Sequence, residues 1–439
     1  MSGELLASLM FPALFLLVFL GIPISFALFG IAFFFGLPVF GEIVGIQLYN
    51  TVLQVATQYL LSAVPPFIFM GAMLERSGIA ERLFQALQLW LGKLNGGLAL
   101  ATMIMGAIFA ASTGIVGAVE VVIGLMAIPA MMTYNYDRDL IAGTICAGGS
   151  LGTMIPPSLV VVIYASVAQM SVGQLFAAML IPAGIMVALF LGYIVLRCLL
   201  RPDDGPAAAE VADVPFWEKV VVTFTALVPA TALIVAVLGS IMLGVASPTE
   251  AASVGAVGVF ILAGLYGKLN FKMMTQTLRS TLVVNSMIMM IVTAGTMFSN
   301  IFRVHGGHRL VDDTLNYLEL GPSGTIAICL FIVFLLGFIL DWVSIVLICL
   351  PIFLPALAGH GVEPVWFAVL MMIVIQTSYL TPPMAPSIFY LRSIAPPQIT
   401  YKDMYLGVAP FVACQVVVLL LVLALPWLAT YLPRALVSM

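Results

Sequence analysis

The stretch Gly148-Gly149-Ser150-Leu151-Gly152-Thr153-Met154-Ile155-Pro156-Pro157-Ser158 interrupts an otherwise apolar run and cannot continue as an ordinary helix. Its three glycines have little helix propensity, and its two prolines lack the N–H that an i→i−4 bond needs. Several backbone carbonyls are therefore released where apolar sequence flanks the segment on both sides. In a bilayer such backbone is tolerated only inside protein or around a polar, ion-holding space. A second copy, Gln376-Thr377-Ser378-Tyr379-Leu380-Thr381-Pro382-Pro383-Met384-Ala385-Pro386-Ser387, predicts another unwound turn. Broken helices at matching places in two halves point to the binding site of a secondary transporter.

That reading requires a membrane, and the composition supports one. Of 439 residues 63% are hydrophobic and only 8% charged, too few charges to coat a soluble globule of this size; the mean hydropathy is +1.20. No basic cluster suggests nucleic acid. The cysteines Cys146, Cys198, Cys329, Cys349 and Cys414 form no Cys-x-x-Cys pair and read as small buried hydrophobes. The first apolar run has no Lys or Arg before it, so it reads as a first span rather than a cleavable signal peptide.

Taken in order, the chain gives apolar runs at 4–22 and 24–37, a weakly polar connector at 38–50 and a long span at 51–75. The segment 78–94 alternates Ile79, Leu83, Leu87 and Leu91 with Glu81, Arg82, Gln85 and Gln88, which predicts an amphipathic helix lying in the interface. Residues 97–132 are too many for one span of about 20 residues and are interrupted at Ala111-Ser112-Thr113-Gly114, which predicts a re-entrant hairpin. A broken helix at 138–168 and a span at 173–200 complete the first half, 1–200. The linker 201–215 is the only soluble-looking stretch. The second half, 216–439, repeats the order, with an arm at 306–318, a hairpin at 322–357 and a broken helix at 365–395. Pro23 answers to Pro248, Gly71 to Gly295, Pro129 to Pro355 and Pro156 to Pro382, at offsets of 225, 224, 226 and 226.

A periplasmic N-terminus places twelve of the fifteen Lys and Arg residues on the cytoplasmic side, leaving Arg303, Arg309 and Arg434 outside. Five crossings in each half then make the repeats inverted and both termini periplasmic. The first hairpin enters from the cytoplasm and the second from the periplasm.

The chain resembles the large membrane subunit of the tripartite ATP-independent periplasmic (TRAP) transporters. The likeness is carried by Gly152-Thr153-Met154-Ile155-Pro156-Pro157-Ser158, by Ala246-Ser247-Pro248-Thr249-Glu250-Ala251-Ala252 and by Asp341 in the second hairpin, and it covers essentially the whole chain. It implies an all-α elevator fold of the ion-transporter superfamily in the bacterial inner membrane. It also implies a small four-helix membrane subunit and a periplasmic substrate-binding protein as partners, with sodium-driven uptake of an organic anion such as a C4-dicarboxylate or sugar acid. The family often has a Ser-Gly-Ser cluster at the first hairpin tip, where this chain has Ser112-Thr113-Gly114 and, further on, Glu120.

A dehydrated sodium ion needs about five or six oxygen ligands, which unwound turns supply. The first expected cage takes Ser112 and Thr113 with the carbonyls of Gly152, Ile155 and Pro157. The second takes Gly337 with Ser378, Thr381 and the Met384 carbonyl. Ser112, Ser158, Thr381 and Pro382 are expected near the substrate. Glu120 and Asp341 are acids in apolar surroundings, where burial costs about 2.5–3.5 kcal/mol. Glu120 suits cation support, hairpin fixing or an interhelical bond, and Asp341 suits cation support or a helix cap. Ser247-Pro248-Thr249-Glu250 reads as a capping box. His305-Gly306-Gly307-His308 has a metal-like spacing but sits in a polar interfacial segment, so no transition-metal site, cofactor or enzymatic centre is expected. Gly143, Gly148 and Gly149 are candidates to line a sliding surface.

Other classes fit less well. An intramembrane hydrolase built on Ser112 or Ser158 lacks a nearby histidine base, and a passive scaffold has no need of two broken helices and two hairpins. A stand-alone sodium-coupled carrier of the same superfamily is the nearest alternative.

Overall fold

The computed structural model describes residues 3–114, 116–208, 214–318, 321–383 and 385–437, which form helices, turns and no strand. The first half runs α1 (Gly3–Phe19), α2 (Ile24–Phe40), α3 (Val44–Ala56), α4 (Val64–Arg76), α5 (Ile79–Leu91), α6 (Gly97–Thr113), α7 (Val116–Thr133), α8 (Arg138–Ser150), α9 (Leu159–Ala168) and α10 (Val172–Leu200). The second half runs α11 (Phe216–Met242), α12 (Pro248–Leu265), α13 (Phe271–Val304), α14 (Gly307–Tyr317), α15 (Gly321–Leu336), α16 (Trp342–Gly359), α17 (Pro364–Leu380), α18 (Pro386–Ile394), α19 (Tyr401–Ala424) and α20 (Trp427–Val437). Among the described residues seven helical stretches are long and apolar enough to cross a bilayer. Large side chains such as Phe19, Phe224 and Leu282 face outward on α1, α11 and α13, as lipid permits and water does not. This is a multi-pass membrane protein.

The centre is made of broken helices and hairpins from both halves. Every residue of α8 from Leu140 to Ser150 is buried, as is every residue of α17 from Phe367 to Leu380. Across the halves, α9 packs on α16, α7 on α18, and α8 on α19. Around this centre, α13 packs on α2 and α4, and α4 on α12. Ser299 on α13 reaches the centre by donating to the Leu347 carbonyl of α16, at 2.8 Å.

The segments 78–94 and 306–318 hold the helices α5 and α14. Each follows a glycine in the left-handed region, Gly78 (φ 77°) and Gly306 (φ 79°), a conformation costly for other residues. The arms pack on their neighbours, with Trp90 Nε1 donating to Thr223 Oγ1 at 2.7 Å. The capping box is present: Glu250 N donates to Ser247 Oγ, and Ser247 N to Glu250 Oε2 at 2.8 Å.

Three expectations are corrected. The single span at 51–75 is two helices, because Pro65 and Pro66 open α4 and the chain turns through a 3-10 segment at Tyr59–Ala63. Its counterpart α13 has no proline and runs unbroken for 34 residues. The linker is not a loose tether as far as Ala208: Gly96 N donates to the Gly205 carbonyl, Asp137 N to that of Asp204 and Ala208 N to that of Gly92, at 2.7, 2.9 and 2.8 Å. A further helix, α20, follows the last expected span and packs on α10 and α17. Gly143, Gly148 and Gly149 pack closely against Gly407, Gly106 and Glu120, respectively.

Candidate functional site

The first broken helix stops at Ser150 and the chain makes a 3-10 turn over Leu151–Thr153. The Leu151 carbonyl accepts from both Met154 N and Ile155 N, and the Thr153 carbonyl accepts from Ser158 Oγ at 2.9 Å. The carbonyls of Ile155 and Pro157 accept no hydrogen bond among the described residues. Gly114 closes the tip of the α6–α7 hairpin in the left-handed region (φ 60°) and lies on this turn. A Cβ there would stand 3.0 Å from Leu159 N and 3.2 Å from the Pro157 oxygen. The tip and the turn therefore meet, as the first cage requires, and Gly152, Ile155 and Pro157 are on the turn. The side chains of Ser112 and Thr113 lie outside the described residues.

The second turn repeats the arrangement. α17 ends at Leu380 and Thr381 is extended. Thr381 Oγ1 donates to the Thr377 carbonyl at 2.7 Å, and Ser378 Oγ to that of Ile375 at 2.8 Å. Each hydroxyl oxygen so placed keeps lone pairs for a cation. Gly337, just past α15, packs so closely on Ser378 that a Cβ would collide with its Oγ. The structure thus brings Gly337, Ser378 and Thr381 together, while Met384 lies outside the described residues. The prolyl bonds Pro156–Pro157 and Pro382–Pro383 are both cis.

The two acids have distinct places. Asp341 is the N-cap of α16: its Oδ2 accepts from Val343 N and Ser344 N, and its Oδ1 from Ser344 Oγ at 2.6 Å. Such a cap contributes about 1 kcal/mol and fixes the second tip. Glu120 is fully buried on α7, pressed against Gly149 of α8, and its Oε1 accepts from Ser387 Oγ of α18. It joins the first hairpin to the second broken helix.

Between the tips lies a cavity of about 540 Å³. Gly114 and Gly117 line it from the first hairpin, Asp341, Trp342 and Val343 from the second, and α13 forms the opposite wall. Ser158 is buried inside the first turn, and Thr381 and Pro382 sit at the second. The wall beside them comes from their neighbours Leu159, Tyr379 and Pro386. No three His, Cys, Asp or Glu side chains converge among the described residues.

Sequence comparison shows where this arrangement belongs. Residues 11–428 match the family model described as the tripartite ATP-independent periplasmic transporter, DctM component. The chain belongs to this family of TRAP large permease subunits. It is 28% identical, over 78% of its length and 79% of the relative's, to the C4-dicarboxylate TRAP transporter large permease protein of Pseudomonas aeruginosa. It is 25% identical to the 2,3-diketo-L-gulonate TRAP large permease of Escherichia coli K12, over 90% of this chain and 91% of that one. It is 30% identical to the isethionate TRAP transporter permease of Oleidesulfovibrio alaskensis, over 94% of this chain and 64% of that one. The fold matches the crystal structure of the Alcanivorax borkumensis YdaH transporter with a TM-score of 0.60 at 14% identity, covering 95% of this chain and all of that one.

In the permease, three contributors to the site were not assigned roles from sequence. Gln376 donates from Nε2 to Ser150 Oγ at 3.3 Å, bridging the two broken helices. Ser387 holds Glu120. Tyr390 packs on Gly117 at the cavity wall. The signal for the first was available: Ser150 and Gln376 stand 226 positions apart, the same offset as the proline pairs.

Proposed function

We propose that the permease carries an organic acid across the bacterial inner membrane together with sodium ions, drawing the acid from a periplasmic binding protein and working beside a small four-helix membrane subunit. One observation carries the reading: each hairpin tip rests on a broken helix at its unwound turn or directly before it, Gly114 on Pro157 and Gly337 on Ser378 in the last turn of α17, with the cavity between them. Each tip–turn pair gathers carbonyl and hydroxyl oxygens where hard cations are held. The first cage uses Gly152, Ile155 and Pro157 with Ser112 and Thr113, and the second Gly337, Ser378, Thr381 and Met384. Asp341 and Glu120 support them by fixing the tips. The cations offset the acid's charge beside the half-helix ends.

The halves are inverted repeats with both termini periplasmic, as the charge distribution favours. The centre of broken helices and hairpins moves as one block against α1–α4 and α11–α13, an elevator, with α5 and α14 as connecting arms. The interlocking of α8 with α19 and α7 with α18 supports a single moving block. Uptake into liposomes by the three-part transporter should require an inward sodium gradient. Full uptake on a proton gradient alone would overturn this reading.

A further inference from the structure

The cavity between the tips has a chemical character that narrows the substrate. Met287, Met290 and Ile291 of α13 face Leu159 and Trp342 of the central block across it. No Lys, Arg or His is among the described residues that line it. Apart from the Asp341 carboxylate, the polar side-chain groups on the described residues that line it are the hydroxyls of Ser25, Tyr379 and Tyr390 and the indole N–H of Trp342. Asp341 is already engaged by two backbone N–H groups and Ser344.

Each substrate class meets these walls differently. A sugar acid brings several hydroxyls, and any that face methionine and isoleucine lose water without gaining a partner. A dicarboxylate brings a second charge to a wall that offers no basic side chain. An apolar body gains from the same walls: methionine and aromatic faces accept alkyl and aryl groups, and thioethers pack well against aromatic ring edges. The volume is in the range that encloses a small organic molecule.

We propose that the permease carries a monocarboxylate with an alkyl or aryl body, its carboxylate at the cation-bearing tips and its body against α13 and Trp342. This rests on the reading above, that the cavity between the tips is the transport site. It departs from the C4-dicarboxylate or sugar acid expected by resemblance.

The test uses the complete three-part transporter in liposomes at pH 8, supplied separately with phenylacetate, hexanoate, succinate and gluconate. Only the entry that disappears without a sodium gradient is counted, because apolar acids also leak through lipid. Phenylacetate or hexanoate should enter at least ten-fold faster than succinate or gluconate. Met287→Gln and Met290→Gln should each lower that entry five-fold or more and leave the sodium concentration for half-maximal rate unchanged. Sodium-driven entry led by succinate or gluconate would overturn this inference and leave sodium-coupled transport standing. Unchanged entry of the apolar acids in both variants would also overturn it. Sodium-driven entry of none of the four would overturn the transport reading, and this inference with it.

Discussion

Gln376 Nε2 lies 3.3 Å from Ser150 Oγ, so residues at equivalent places in the two broken helices hydrogen-bond to each other at the middle of the molecule. Both are buried, and such a bond contributes on the order of 1 kcal/mol. Its position matters more than its strength. It joins the two segments that carry the unwound turns, so both turns should keep one geometry relative to each other.

Gln376→Leu should therefore cost more in transport than in folding. The expected result is a stability loss of about 1–2 kcal/mol, with uptake lowered at least five-fold in protein that still reaches the membrane. Wild-type uptake by a folded Gln376→Leu variant would show that the bridge does not hold the turns.

The tips tolerate no added side chain. At Gly337 a Cβ would collide with Ser378 Oγ, and at Gly114 it would meet Leu159 N at 3.0 Å in a left-handed backbone, which alone costs about 1–2 kcal/mol. Gly337→Ala and Gly114→Ala should each reduce uptake ten-fold or more, whereas Gly184→Ala, with open space at its Cβ, should not. Equal uptake in all three variants would mean that the tips do not rest on the turns.

Glu120 and Asp341 separate by substitution. Glu120→Gln keeps an acceptor for Ser387 and the packing under Gly149, so it should fold and transport within about three-fold of wild type. Glu120→Ala opens a void and orphans Ser387, with a loss of about 2–4 kcal/mol. Asp341→Asn should keep the cap, since asparagine caps as well as aspartate, yet raise the sodium needed for half-maximal uptake because the charge beside the tip is gone. Thermal unfolding gives the first readout and sodium titration the second. Unchanged sodium dependence in Asp341→Asn would make Asp341 a cap only.

Arg197 tests the docked linker. Its guanidinium spans Asp137, the N-cap of α8, and Asp204, each at 2.8 Å, and donates to Tyr193 OH at 3.2 Å. Lysine is a point charge and cannot make this fork. Arg197→Lys should lower stability by about 1–2 kcal/mol, discounted for partial exposure, and increase proteolysis within 201–208. An unchanged proteolytic pattern would mean that backbone bonds alone hold the linker.

The unwound turns, arms and hairpins were legible because each rests on local chemistry. Glycine and proline are concentrated in 148–158 and 382–386 beyond what a helix can carry, and the alternation around Leu83 and Leu87 is visible within four turns. The partner of Glu120 was not, since a side-chain bond across 267 residues leaves no periodic trace, whereas the Ser150–Gln376 pairing leaves only the 226-residue repeat offset as its mark. The break at 57–63 was missed because Tyr59–Ala63 is as apolar as a span, and only Pro65-Pro66 marks it. The docking of 201–208 depends on backbone donors at Gly96 and Asp137, which polar composition alone presents as a solvated loop.

Sodium binding at both tip–turn pairs during transport is open to direct measurement. The direct measurement is the initial rate of uptake into liposomes as a function of external sodium, for wild type and for Thr381→Ala. Binding of a sodium ion at each tip should give a wild-type curve steeper than first order. Thr381→Ala removes a hydroxyl oxygen from one cage and should shift that curve about ten-fold to higher sodium, equivalent to about 1.4 kcal/mol. A hyperbolic wild-type curve that Thr381→Ala leaves in place would contradict it.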